Sequence, residues 1–247
     1  MDYAALANAI VAWMRDYAGQ ARADGFVVGL SGGVDSAVTA ALATRAVGAG
    51  HTLAVWLPCY SLPEDEAYAQ MTAQALGLGL HTVDLDATYD ALLAALPPGS
   101  DMARANVKPR LRMTAWYYLA QSHNCLVAGT SNKPEMLVGY FTKYGDGGVD
   151  IEPLGELYKH EVWALARALG VPEPVIVRAP TAGLWPGQTD EGELGITYAE
   201  LDAILAAMAE DRPPAAPEAV VARVRRMIAA AAHKRALPPV FYVERAS

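Results

Sequence analysis

Cysteine is nearly absent. Among 247 residues only Cys59 and Cys125 are cysteines, far apart and in no CxxC pair. That excludes a disulfide scaffold and a cysteine-based zinc site. His51, His81, His123, His160 and His233 show no close metal-ligand spacing. A basic surplus is missing as well: 19 Lys and Arg stand against 27 Asp and Glu, a net charge of −8. Phosphate-backbone binding needs a basic face, so no nucleic-acid partner and no anionic membrane surface is expected. No apolar run approaches the roughly 20 residues of a membrane span. The N-terminus carries Asp2 and no basic stretch, unlike a secretory signal. The expected location is cytoplasmic. Apolar residues make up 53% and no low-complexity tract occurs, which excludes a mainly disordered chain. A chain this long buries roughly 70–75% of its unfolded surface. One domain over 1–247 is expected.

Leu6, Ile10, Val11 and Met14 recur at helical spacing and predict an amphipathic helix over residues 2–20. Phe26–Leu30 is a short apolar run ending at Ser31-Gly32-Gly33, a buried strand meeting a glycine turn. Ser36–Val47 is alanine-rich and helical. The alternation then repeats: strand 51–57, helix 63–76, strand 80–85, a helix near 87–96, a break at Pro97-Pro98-Gly99-Ser100, helix 106–121 and strand 125–128. Such alternation predicts an α/β fold, an open and mostly parallel twisted sheet with helices on both faces. Ligands bind such sheets beyond the carboxyl ends of the strands. Gly29–Ser36 and Ala128–Asn132 both fall there. Residues 139–155 hold five glycines and read as irregular, as do 180–195. Loops this long inside a compact domain are usually functional or disordered. Helices are predicted over 158–169, 198–209 and 217–232.

The segment Ser31-Gly32-Gly33-Val34-Asp35-Ser36 joins a strand to a helix. Its glycines let backbone approach a ligand, and a helix start offers N–H groups to an anion. The Walker pattern needs a lysine after the loop, and none is present. Asp35 would repel a phosphate unless a Mg²⁺ bridged the two. A plain capped turn fits two glycines equally well.

The loop resembles the SGGxDS loop of N-type ATP pyrophosphatases. Five further segments narrow the likeness: Asn106–Met113 (NVKPRLRM), Gly129–Glu135 (GTSNKPE), Leu137–Asp150 (LVGYFTKYGDGGVD), Pro180–Glu191 (PTAGLWPGQTDE) and His233-Lys234-Arg235. Together they are similar to the NAD synthetases over roughly residues 25–240. Four of the five lysines, Lys108, Lys133, Lys143 and Lys234, lie in these matched segments and Lys159 follows one of them by nine residues, whereas only three of the 14 arginines, Arg110, Arg112 and Arg235, lie in them. This suggests that the lysines serve sites needing a compact ammonium.

The resemblance implies the following roles. ATP binds Gly29, Leu30, Ser31, Gly32, Gly33, Val34, Asp35, Ser36, Thr130, Lys159 and Thr181, with Lys159 over the phosphates. Asp35 and Glu135 hold Mg²⁺. Deamido-NAD binds Arg110, Lys143, Asp150, His233 and Lys234. Lys159, Asp35 and Asp146 take the catalytic roles, Asp146 as the candidate for holding ammonium. The glycine-rich 139–155 segment would act as a lid. The implied enzyme is a homodimer, with the N-terminal helix and the 106–121 helix as candidate contacts. No glutaminase domain is expected, so ammonia comes free or from a separate glutaminase protein. Two other readings stay open at this point: a tRNA-modifying ligase built on the same loop, and a non-catalytic nucleotide sensor.

Overall fold

The computed structural model describes residues 1–185 and 187–243; Pro186, inside the PTAGLWPGQTDE segment, and residues 244–247 lie outside them. Helix α1 (Tyr3–Ala21) begins at Asp2, whose carboxylate accepts from Ala4 and Ala5 N–H, and ends at Arg22 in the left-handed region. Then follow β1 (Gly25–Gly29), α2 (Val34–Val47), β2 (Thr52–Trp56), α3 (Pro63–Ala75), β3 (Leu80–Thr82) and α4 (Asp86–Ala95). The next elements are α5 (Asp101–Ala105), α6 (Val107–Ser122), β4 (Cys125–Ala128) and α7 (Lys133–Val138). The last are α8 (Lys159–Leu169), α9 (Glu173–Ile176), α10 (Asp190–Leu194), α11 (Tyr198–Ala209) and α12 (Glu218–Ala230).

The four strands pair in parallel in the order β3-β2-β1-β4. Side chains alternate across the sheet, and both faces are covered. Phe26 and Val28 pack into a core with Met14 of α1, Leu42 of α2 and Leu165 of α8. Val27, Val55 and Val127 face the other way, toward Tyr89 of α4 and Ala120 of α6. A third core joins Val138 of α7 to Tyr198, Leu201 and Leu205 of α11 and Val224 of α12. The apolar run read as the first strand is the fully buried centre of the sheet, as a parallel strand must be. No helix among the described residues is long and apolar enough to cross a membrane.

Three expectations differ in detail. The strand read over 80–85 ends at Thr82, because β3 is an edge with one neighbour and then turns to pair Leu85 N–H with the Pro58 carbonyl at 2.9 Å. The break after Pro97 contains α5, capped by Ser100 accepting from Ala103 N–H at 3.2 Å. The long loop 180–195 contains α10, capped by Thr189 accepting from Gly192 N–H at 3.2 Å. Both are single turns, too short for a periodic pattern to register. The 139–155 segment is a chain of turns that ends by pairing alongside β4: Asp150 N–H donates to the Val127 carbonyl at 3.0 Å and Gly129 N–H to the Ile151 carbonyl at 2.8 Å. The chain leaves β1 toward β2 on one side, and β4 joins on the other. The crevice at that reversal is where α/β sheets bind ligands.

Candidate active site

The loop after β1 is shaped by glycine. Gly32 has φ +82°, and a Cβ there would lie 2.6 Å from the Asp65 carbonyl oxygen. Only glycine fits such a position. Gly29 lies against the Trp116 ring, which a Cβ would meet at 2.5 Å. Hydroxyls fix the remainder. Ser36 Oγ donates to the Gly33 carbonyl at 2.9 Å and accepts from Ser31 N–H at 3.2 Å. Gly33 N–H donates to Ser31 Oγ at 3.3 Å. No side chain caps α2 at Gly33. Its first-turn N–H groups lack intrahelical partners and carry the positive end of the helix dipole. That is an anion site.

A crevice of about 520 Å³ lies beyond the ends of β1 and β4. The whole Gly29–Ser36 loop lines it except Gly32, and Thr130, Glu135, Asp146, Thr181 and Lys234 line it as well. Asp35 and Glu135 sit in the first turns of α2 and α7 and meet at one ammonium. Lys159 Nζ donates to Asp35 Oδ2 at 2.6 Å and to Glu135 Oε1 at 3.4 Å. Asn132, fully buried, locks the pair. Its Nδ2 donates to Asp35 Oδ1 at 3.0 Å and its N–H to Glu135 Oε2 at 3.2 Å, while its Oδ1 accepts from Glu135 N–H at 3.1 Å. The Tyr198 hydroxyl lies 3.0 Å from Glu135 Oε1 and 3.1 Å from Asp190 Oδ2, and its ring sits 4.7 Å from Lys159 Nζ.

Two carboxyls thus share one ammonium, and Asp190 joins them through the Tyr198 hydroxyl. Burial pushes Glu135 up to about 7; Lys159 pulls it back, and Asp35 and Asp190 push it further. Burial raises Asp190 too, against the pull of Lys159. Burial also opposes the charge on Lys159, but Asp35 and Glu135 outweigh it and hold the ammonium above the ordinary lysine range. The surplus of negative oxygen suits a hard cation. Among the described residues no three His, Cys, Asp or Glu side chains gather closely enough to cage a metal alone. Two carboxylates beside a phosphate loop match the way Mg²⁺ is held, by one or two carboxylates together with substrate phosphates.

The sequence-predicted residues do not all share one wall. Lys159 is 1% exposed and stands behind Asp35 and Glu135, not on the crevice wall. Arg110, Lys143 and His233 form their own chain. Arg110 Nη2 donates to the Lys143 carbonyl at 3.3 Å, and Lys143 Nζ donates to the His233 carbonyl. Lys234 donates to the Gly139 and Phe141 carbonyls at 2.7 and 2.8 Å, clipping the C-terminal segment onto the glycine-rich one. Asp150 lines a smaller side pocket, and both its oxygens accept bonds, from Tyr117 OH at 3.1 Å and Val127 N–H at 2.7 Å. Thr181 Oγ1 donates to the Gln188 carbonyl at 2.8 Å and holds its own loop. Asp146 Oδ1 accepts from Thr142 N–H at 2.9 Å, and burial raises its carboxyl.

Sequence reasoning missed several neighbours. Arg178 donates to the Gly32 carbonyl at 3.2 Å, pairs with Asp65 and lies 4.6 Å over the Tyr68 ring. The Trp116 indole N–H lines the crevice wall, buried and without a partner among the described residues. Asn132 and Asp190 lie inside two of the motif segments, which was the available clue. Arg178, Trp116 and Tyr198 carried none, because only the packing of α6, α9 and α11 brings them in.

The sequence profile of the family described as NAD synthase matches residues 6–238. The chain is 48% identical over 236 residues to an NH(3)-dependent NAD(+) synthetase of Carboxydothermus hydrogenoformans, covering 94% of each chain. Among solved structures it is similar to an NMN synthetase from Francisella tularensis, with a TM-score of 0.89, 36% identity, and coverage of 98% of this chain and 100% of that one. An NH3-dependent NAD synthetase from Campylobacter jejuni superposes with a TM-score of 0.85 at 27% identity, covering 98% of this chain and 100% of that one.

Proposed function

The chain belongs to the NAD synthase family, and from that premise we propose that it adenylates the nicotinate carboxylate of deamido-NAD with ATP, releases pyrophosphate, and amidates the adenylate with ammonia to give NAD and AMP. The observation that carries this reading is the meeting of Asp35, Glu135 and Lys159 beside an uncapped helix start on a phosphate-type loop.

A carboxylate is a poor acyl donor because oxide would have to leave. Joining it to AMP supplies a good leaving group. Gly29–Ser36, with Thr130 and Thr181, holds ATP, and the α2 N–H groups face its phosphates. Asp35 and Glu135 hold Mg²⁺, which when bound offsets phosphate charge. Lys159 keeps both carboxylates in place and adds positive charge beneath the loop as charge moves onto the departing pyrophosphate. Arg110, Lys143, Asp150, His233 and Lys234 receive deamido-NAD, and the Lys234 clip ties the C-terminal segment to the glycine-rich one. Asp146, which lines the same crevice, holds ammonium.

The likeness to an NMN synthetase favours one second acceptor, nicotinate mononucleotide, which carries the same carboxylate. Exchange of labelled pyrophosphate into ATP, with ammonia left out, tests the adenylation step. Label is expected to enter ATP only when an acceptor is present, and faster with deamido-NAD than with the mononucleotide. Exchange without any acceptor, or none with either, would contradict the reading.

A further inference from the structure

A side pocket of about 200 Å³ shares only Asp150 and Lys234 with the residues assigned to the substrates. At roughly 30 Å³ per water it has room for a small ion and a few waters, far too little for a nucleotide. It adjoins the main crevice, and Phe141 and Lys234 wall both. Its charged lining is Asp150, Glu152, Lys234 and Arg235. Three of these are already committed. Asp150 accepts on both oxygens. Lys234 bonds two carbonyls, and Arg235 bonds those of Leu137 and Ile228.

Glu152 differs. Its carboxyl lies flat on Gly129, where a Cβ would come within 2.4 Å of it. Its Oε2 accepts from Ser131 N–H at 3.1 Å. Glycine at 129 therefore leaves space for a carboxyl at the end of β4, on the wall of the side pocket. Burial lifts this carboxyl to about 8; the Ser131 N–H and hydroxyl pull it back, and Glu135 and Asp146 push it further. Such a group holds a proton far better than an ordinary carboxylate.

We infer that ammonium enters through this side pocket and gives up its first proton to Glu152. The inference rests on the ligase reading above and assigns that reaction its proton acceptor. The nitrogen–hydrogen bond breaks, the proton goes to a Glu152 oxygen, and neutral ammonia keeps the electron pair. Ammonia passes Phe141 and attacks the adenylate carbonyl. The new carbon–nitrogen bond forms, the carbon–oxygen bond to AMP breaks, and AMP departs with that pair. The second proton leaves the nitrogen for Asp146, and Glu152 returns its own to water in the pocket.

Glu152→Gln keeps shape and removes the acceptor. Its kcat/KM for ammonium is expected to fall about 10²-fold, the lower end of general-base effects. With hydroxylamine, which is largely uncharged at neutral pH and needs no first deprotonation, the variant is expected to match the wild type. Pyrophosphate exchange without ammonia is expected to be unchanged, which also shows that the variant folds. An ammonium kcat/KM within about twofold of wild type, an equal loss with hydroxylamine, or loss of exchange in the variant would each overturn the inference. Absence of exchange in the wild type would instead overturn the ligase reading.

Discussion

The Lys159→Ala protein is expected to lose both stability and adenylation. Lys159 is the ammonium that pairs with both Asp35 and Glu135, and it is 1% exposed. Removing one partner of a buried ion pair costs about 3–5 kcal/mol, because the charge left behind has neither water nor a partner. Here two carboxylates lose their shared donor, at 2.6 and 3.4 Å. In a chain of this size such a loss lowers the unfolding midpoint by on the order of 10 °C. Added Mg²⁺ is expected to restore part of it, since a cation held by Asp35 and Glu135 replaces the missing charge. AMP formation is expected to drop about 10²–10³-fold even below the new midpoint, the usual loss when one preorganised charge is removed. Calorimetry with and without Mg²⁺, beside an AMP assay, checks both halves. A wild-type midpoint would mean that Lys159 does not anchor Asp35 and Glu135 electrostatically.

Asp35→Ala acts differently. Asp35 is the more exposed partner of the pair, at the mouth of the phosphate loop, and Glu135 still holds Lys159 at 3.4 Å without it. The fold is therefore expected to survive, while Mg²⁺-dependent AMP release falls below about 10⁻³ of wild type, because two-carboxylate metal sites rarely tolerate one ligand. Circular dichroism and AMP release over a Mg²⁺ series separate the two. A variant that keeps its activity would remove Asp35 from the metal site.

Most of the fold was legible because its core elements announce themselves. Phe26-Val27-Val28 is apolar on both faces, as a central parallel strand must be, and the glycines after it mark the turn. Elements of one turn were not legible. Their caps, Ser100 and Thr189, look like any loop hydroxyl until the chain folds. For the site, the motif segments contain Asp35, Asn132, Glu135 and Asp190, but not the geometry that joins them. Lys159 reads as a residue over phosphate; in the fold it sits behind the carboxylates, because Asp202 of α11 accepts from its N–H at 3.3 Å and fixes the start of α8. Tyr198 and Arg178 reach the site only through α11 and the segment after α9. No local pattern encodes such contacts. Glu152 stayed hidden for the same reason: its character comes from a glycine 23 positions earlier and from burial at the side pocket.

ATP cleavage is expected to be coupled to amidation with free ammonia on this one chain. Purified protein with ATP, Mg²⁺ and deamido-NAD, supplied with ammonium or with glutamine, tests it most directly by quantifying NAD and AMP. Equimolar NAD and AMP with ammonium, and no NAD with glutamine alone, is the expected result. NAD from glutamine alone, or AMP without NAD in the presence of ammonium, would contradict the account.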